Sequence, residues 1–88
     1  MNTSNQIPQY DASHYAVVDL GSNSFHLLIT RLHNNQLETV NKVKSKVRLA
    51  AGLNENLELN AVAIARGLDC LALFAKHLNT IPVENIRI

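Results

Sequence analysis

Ala16-Val17-Val18-Asp19-Leu20-Gly21-Ser22-Asn23-Ser24-Phe25-His26-Leu27-Leu28-Ile29 is the stretch on which the fold turns. Its first five residues form a run rich in β-branched side chains, and Gly21 to Ser24 stop it with a cluster of turn formers. The apolar segment beyond the turn fits two periods. Phe25, Leu28, Ile29 and Leu32 match the i, i+3, i+4, i+7 spacing of a helix face, while Phe25, Leu27 and Ile29 match the alternation of a strand. The choice has chemical consequences. As a helix, the segment would place Gly21 to Ser24 at its N-terminus, where the dipole and free N–H groups attract anions. As a strand, it would place them at the tip of a hairpin. Phe25 to Leu32 lies between two turn clusters, the second being His33-Asn34-Asn35-Gln36. Eight residues is a usual strand length and short for a helix, so the segment is read as a strand.

On the N-terminal side, residues 1–14 are polar, rich in Asn, Gln and Ser, and expected to form a flexible tail. MNTSNQIPQYDASHY has no apolar run for a signal peptide. On the C-terminal side, Leu37 to about Leu49 alternates with the strand period, and residues 51–56 read as a loop. Asn60 is placed to cap a helix. In that helix Ile64, Leu68, Leu71, Ala75 and Leu78 recur at steps of 4, 3, 4 and 3, a stripe expected to lie on a sheet, with Ala61, Leu73 and Phe74 widening it. Gly67 in the helix suggests close packing. Pro82 prevents the helix from continuing, and Ile86-Arg87-Ile88 reads as the opening of another strand, within which the chain stops.

The composition bounds these readings. Of 88 residues, 47% are hydrophobic and 17% charged, as in one small globular domain. At this size only about 60–65% of the unfolded surface is buried, so the core is thin. Eight Lys and Arg against seven Asp and Glu give a net charge of +1, which excludes a whole-chain attraction to DNA or an anionic membrane. One cysteine, Cys70, excludes an internal disulfide framework, and the four histidines lack metal-finger spacing. No apolar stretch approaches the ~20 residues of a membrane helix. Together these features predict a cytoplasmic protein.

Two constellations carry chemistry. At the end of the first strand, Gly21 permits a tight turn and a close approach to a ligand. Ser22, Asn23 and Ser24 add hydroxyl and amide groups, successive N–H groups can form an anion nest, and Asp19 puts a carboxylate beside it. An ordinary hairpin turn accounts for the same residues. The second constellation is Lys42-Val43-Lys44-Ser45-Lys46-Val47-Arg48, which in a strand would put four cations on one face as a rail for a polyanion. An edge strand whose lysines block sheet-to-sheet association is the simpler explanation of the same residues. His26 lies close enough to the turn to reach a bound anion. His14, His33 and His77 sit at element edges, and Cys70 is most simply a packed residue. No general base for hydrolysis is evident.

The strings AVVDLGSNSFH (16–26), KVRLAAGL (46–53), ARGL (65–68) and CLALFA (70–75) resemble the exopolyphosphatase / guanosine pentaphosphate phosphatase (Ppx/GppA) family, over about residues 15–88. KVRLAAGL is nearer to the guanosine pentaphosphate branch. A bare D-x-G is shared with the wider actin, Hsp70 and sugar-kinase superfamily. The resemblance implies an α/β, ribonuclease-H-like fold, here incomplete: three antiparallel strands, one long helix and the start of a parallel fourth strand. Residues 15–88 would then be the first part of an amino-terminal actin-like domain, with its remainder and a second domain absent.

In function, the resemblance implies a phosphoanhydride hydrolase converting guanosine pentaphosphate to ppGpp and phosphate, with polyphosphate as a related substrate. Asp19 would place Mg²⁺ or the attacking water, and Gly21, Ser22, Asn23 and Ser24 would contact the scissile phosphate. His26, Lys44, Lys46 and Arg48 would meet more distant phosphates. It implies Mg²⁺ as cofactor, no DNA or membrane partner and a homodimeric parent, and the truncated sheet edge invites self-association. The family's second glycine-rich loop and catalytic glutamate have no matching string here, so the 88 residues alone are expected to be inactive. The competing class is a non-catalytic module that binds nucleotide or phosphate.

Overall fold

The computed structural model describes residues 8–88. Three strands come first, β1 (His14–Leu20), β2 (Ser24–His33) and β3 (Gln36–Lys46), followed by a helix, α1 (Ala61–Leu78), and a short β4 (Ile86–Arg87). The sheet order is β3-β2-β1-β4, with β4 parallel to β1 and the other pairs antiparallel. The ambiguous segment is therefore a strand. Its alternation decides this: Phe25, Leu27 and Ile29 are buried on one face, and His26 between them is exposed.

One face of the sheet, built from Ala16, Val18, Phe25, Leu27 and Ile29, forms the core with Val47 just after β3 and Cys70 and Phe74 of α1. The β2–β3 hairpin turns at Asn34 and Asn35, which both take positive φ (54° and 63°), as a two-residue turn matching the sheet twist requires. A register shift between Ile29 and Thr30 leaves Val40 unopposed on β3 as a bulge.

Three expectations are revised. The third strand ends at Lys46, not near Leu49, because Arg48 takes the left-handed region (φ 50°) and the chain turns toward the β1–β2 turn. Arg48 thus leaves the row of Lys42, Lys44 and Lys46.

The helix also docks on a different stripe. Ala63, Gly67, Cys70, Phe74 and His77 are buried, whereas Ile64, Leu68 and Leu71 are exposed; of the expected face, Phe74, one of its widening residues, lies in the core and Leu78 packs partly against it. The two stripes have identical 4-3-4-3 steps and differ by one residue, or about 100° around the helix. Volume selects between them. The sheet face already carries bulky Leu27, Ile29 and Phe25, and small residues at positions 63, 67 and 70 let the helix fill the space between.

The third concerns the tail. Residues 1–7 of the expected tail lie outside the described residues. Nearer the sheet the chain is anchored: Tyr10 is buried, its N–H donates to Thr80 Oγ1 (2.7 Å), and its hydroxyl accepts from Asn41 Nδ2 (3.2 Å). Other local signals act as expected, including Asn60, whose Oδ1 accepts the Ala63 N–H (2.8 Å) as a helix cap.

Candidate functional site

The β1–β2 turn consists of Gly21, Ser22 and Asn23, closed by the Gly21 N–H donating to the Ser24 carbonyl at 3.0 Å. No glycine takes a positive φ. Proximity favours Gly21 instead, since a Cβ there would sit 3.1 Å from the Ser24 carbonyl oxygen, a tight contact.

The segment after β3 grips the outer part of the turn. The Asn23 carbonyl accepts the N–H groups of Val47 (2.8 Å) and Arg48 (3.0 Å), and the Ser22 carbonyl accepts those of Leu49 (2.8 Å) and Ala50 (3.2 Å). In a trans peptide the C=O and the following N–H point in opposite directions. Fixing the Ser22 carbonyl toward residues 49–50 therefore turns the Asn23 N–H away from them. Among the described residues neither the Ser22 nor the Asn23 N–H has a partner. With the exposed Ser22 hydroxyl and Asn23 amide, these groups form an outward-facing set of donors.

The register extends the site across the open face of the sheet, opposite α1. Asp19 lies across from His26, and His26 across from Lys44, making one row over three strands. Val17, Leu28 and Lys42 form the adjacent row, and Ser24 faces Lys46. Directly opposed side chains have Cβ atoms about 5 Å apart. A shallow depression of about 450 Å³ lies here, with Asp19, His26, Lys42 and Lys44 around Val17 and Leu28. The structure thus joins the turn residues, Asp19, His26, Lys44 and Lys46 along one end and face of the sheet, while Arg48 sits apart.

Asp19 is exposed and, among the described residues, forms no ion pair. No described group of three His, Cys, Asp or Glu side chains is arranged to hold a metal. Mg²⁺ is commonly held by one or two carboxylates together with substrate phosphates and waters. A single free carboxylate beside hydroxyls is compatible with such an ion, and Asp19 is the described residue that could serve as its ligand.

The contribution invisible in the sequence pattern is that of Arg66. From α1 its Nε donates to the Val47 carbonyl (2.9 Å) and its Nη2 to the Arg48 carbonyl (3.2 Å), in the same segment that grips the turn. The strings containing Arg66 and Arg48 both stand out in the sequence, but no periodicity pairs them.

The family model described as the Ppx/GppA phosphatase family matches residues 28–88. A guanosine-5'-triphosphate,3'-diphosphate pyrophosphatase from Aliivibrio fischeri is 62% identical over 74 residues, which are 84% of this chain and 15% of that protein. The same-named protein from Vibrio cholerae is 57% identical over equal shares. The chain therefore spans about 15% of the length of these curated relatives. Among solved structures, an exopolyphosphatase from Cytophaga hutchinsonii superposes with a TM-score of 0.65 at 32% identity, covering 77% of this chain and 23% of that one. The Aquifex aeolicus Ppx/GppA protein superposes at 0.68 and 21% identity over 75% and 22%, a likeness of fold. The sheet and helix are thus part of the ribonuclease-H-like, actin-like architecture of these proteins. No described helix is long and apolar enough to cross a membrane.

Proposed function

Because the chain belongs to the Ppx/GppA phosphatase family, we propose that it supplies the first phosphate-gripping element of a phosphoanhydride hydrolase that converts guanosine pentaphosphate to ppGpp and phosphate. Polyphosphate, with the same repeating anhydride, is the related substrate. The observation that carries this reading is the β1–β2 turn. Its Ser22 and Asn23 carbonyls are taken up by residues 47–50, while the N–H groups of the same two residues have no partner among the described residues.

Such hydrolysis needs neutralisation of phosphate charge, an in-line water and a base. The N–H groups and side chains of Ser22, Asn23 and Ser24 would bind phosphoryl oxygens. Lys44 and Lys46, with Lys42 beside them, provide positive charge along one face for phosphates farther down the chain. His26, between Asp19 and Lys44, is within reach of the same anion. Asp19 would repel a bare phosphate but could hold a Mg²⁺ ion accompanying the substrate, which would supply charge neutralisation and polarisation of the phosphoryl group. Arg48 contributes through its backbone N–H to the turn.

The test is calorimetric titration of the 88-residue chain with pyrophosphate and Mg²⁺, comparing wild type with Asp19→Ala. Binding heat is expected in the wild type and a weaker response in the variant. No heat in either would make the turn a plain hairpin. The chain by itself is expected to release no phosphate from guanosine pentaphosphate, and metal-dependent turnover would refute that part of the reading.

A further inference from the structure

We propose that Arg66 is a positioning residue for the phosphate-binding turn, setting its donor geometry from α1 without touching the ligand; this rests on the turn's being a phosphate site. The connection has two steps, each made of hydrogen bonds. Arg66 bridges two consecutive carbonyls, Val47 through Nε at 2.9 Å and Arg48 through Nη2 at 3.2 Å. The N–H groups of Val47, Arg48, Leu49 and Ala50 in turn hold the Asn23 and Ser22 carbonyls. Those carbonyl directions orient the intervening N–H.

Residues 47–50 need such a brace. Arg48 takes φ 50°, a region that residues with a Cβ enter only when the surroundings hold them there. Val47, next to it, is fully buried and anchors one end. The two Arg66 bonds fall on either side of the strained Arg48 φ rotation, so the guanidinium fork fixes the conformation that presents four N–H groups to the turn. A planar fork suits this task because its donors are pre-spaced, whereas a lysine ammonium offers a single point of attachment. Arg66 is itself half-buried, and its positive charge is directed at carbonyl oxygens rather than at a carboxylate.

The experiment compares wild type, Arg66→Gln and Arg66→Lys in the 88-residue chain at 10 °C, with far-UV circular dichroism verifying folding. Amide hydrogen exchange is read at residues 47–50 and in β1 and β2, and pyrophosphate affinity with Mg²⁺ is read from amide chemical shifts. In Arg66→Gln, protection at 47–50 is expected to fall about tenfold, as for loss of one net hydrogen bond, while the strands keep theirs. Pyrophosphate affinity is expected to fall by a similar factor, and Arg66→Lys to recover protection and affinity together, in part. Unchanged exchange at 47–50, or loss spread uniformly over the strands, would overturn the proposal. So would full recovery of affinity by lysine without recovered protection, since charge alone would then suffice. If the wild type fails to respond to pyrophosphate, the phosphate reading falls with this extension of it; the exchange measurements would then decide only whether Arg66 braces the turn.

Discussion

Gly52→Ala offers a sharp test of how the turn-gripping segment is seated on α1. Gly52 is buried at the end of a single 3-10 turn, Ala50–Gly52, and a Cβ there would collide with Ala63 Cβ. Neither side can yield easily. The Gly52 N–H donates to Leu49 (3.0 Å) and its carbonyl accepts from Asn60 (2.9 Å), the helix cap, while Ala63 is fully buried in the first turn of α1. Overpacking against backbone-supported atoms costs about 1–3 kcal/mol. For a domain of this size that lowers Tm by roughly 5–20 °C, measured by far-UV circular dichroism melts. Ala63→Gly removes the opposing methyl and by itself costs about 1 kcal/mol in helix propensity. Combined with Gly52→Ala it should recover most of the overpacking, giving a favourable coupling of about 1 kcal/mol or more in a double-mutant cycle. Strict additivity, or a Gly52→Ala variant melting within about 2 °C of wild type, would refute the reasoning.

Four other substitutions probe the helix packing and the anchored tail. At Gly67 an added Cβ would meet Leu49 Cδ2 at 3.6 Å and Phe25 Cε2 at 4.0 Å, both ordinary contacts. Gly67→Ala should therefore raise stability by about 1 kcal/mol in urea melts, whereas destabilisation would mean the helix lies closer to the sheet. Phe74→Ala, at 2% exposure, should cost about 3–5 kcal/mol, while Leu68→Gln, at 60% exposure, should stay within about 0.5 kcal/mol; equal losses would restore the stripe expected from the sequence. Asp11 accepts hydrogen bonds from the Ser13 hydroxyl and N–H and lies 2.9 Å from His14 Nδ1, which together lower its pKa to about 2. A carboxyl pKa depressed in the folded state stabilises above the unfolded value and loses that contribution as pH falls from about 4 toward 2. Asp11→Asn should flatten this acid limb in melts from pH 2 to 6, and an unchanged limb would exclude Asp11 as its source.

What the sequence made legible was local. Turn clusters, the Asn60 cap and the alternation of Phe25, Leu27 and Ile29 depend on neighbours a few residues away, and each appears in the structure where its pattern placed it. The helix face did not emerge correctly because hydrophobicity alone favours the stripe with larger side chains. The stripe that docks is selected by volume, and volume depends on a sheet face assembled from β1 and β2. The alternation that continues to Leu49 does not extend the strand, for a related reason. Arg48 alternates correctly in sequence, yet the demands of the Ser22 and Asn23 carbonyls, far earlier in the chain, turn it out of line.

The two sequence readings of Gly21 to Ser24, hairpin turn or ligand cradle, are not exclusive. The structure contains a hairpin turn in every backbone respect, closed from Gly21 to Ser24. An isolated tight turn leaves some carbonyls and some N–H groups to water. Here the Ser22 and Asn23 carbonyls are saturated by four N–H groups from residues 47–50, and that asymmetry makes the exposed side of the turn donor-rich. The short string D-L-G-S-N-S therefore does not specify a cradle by itself. Its chemistry depends on a second segment arriving in a left-handed bend, and on an arginine from a third element bridging the carbonyls on either side of that bend. The same six residues on a hairpin without that support would present a mixed surface of donors and acceptors, with little preference for an anion.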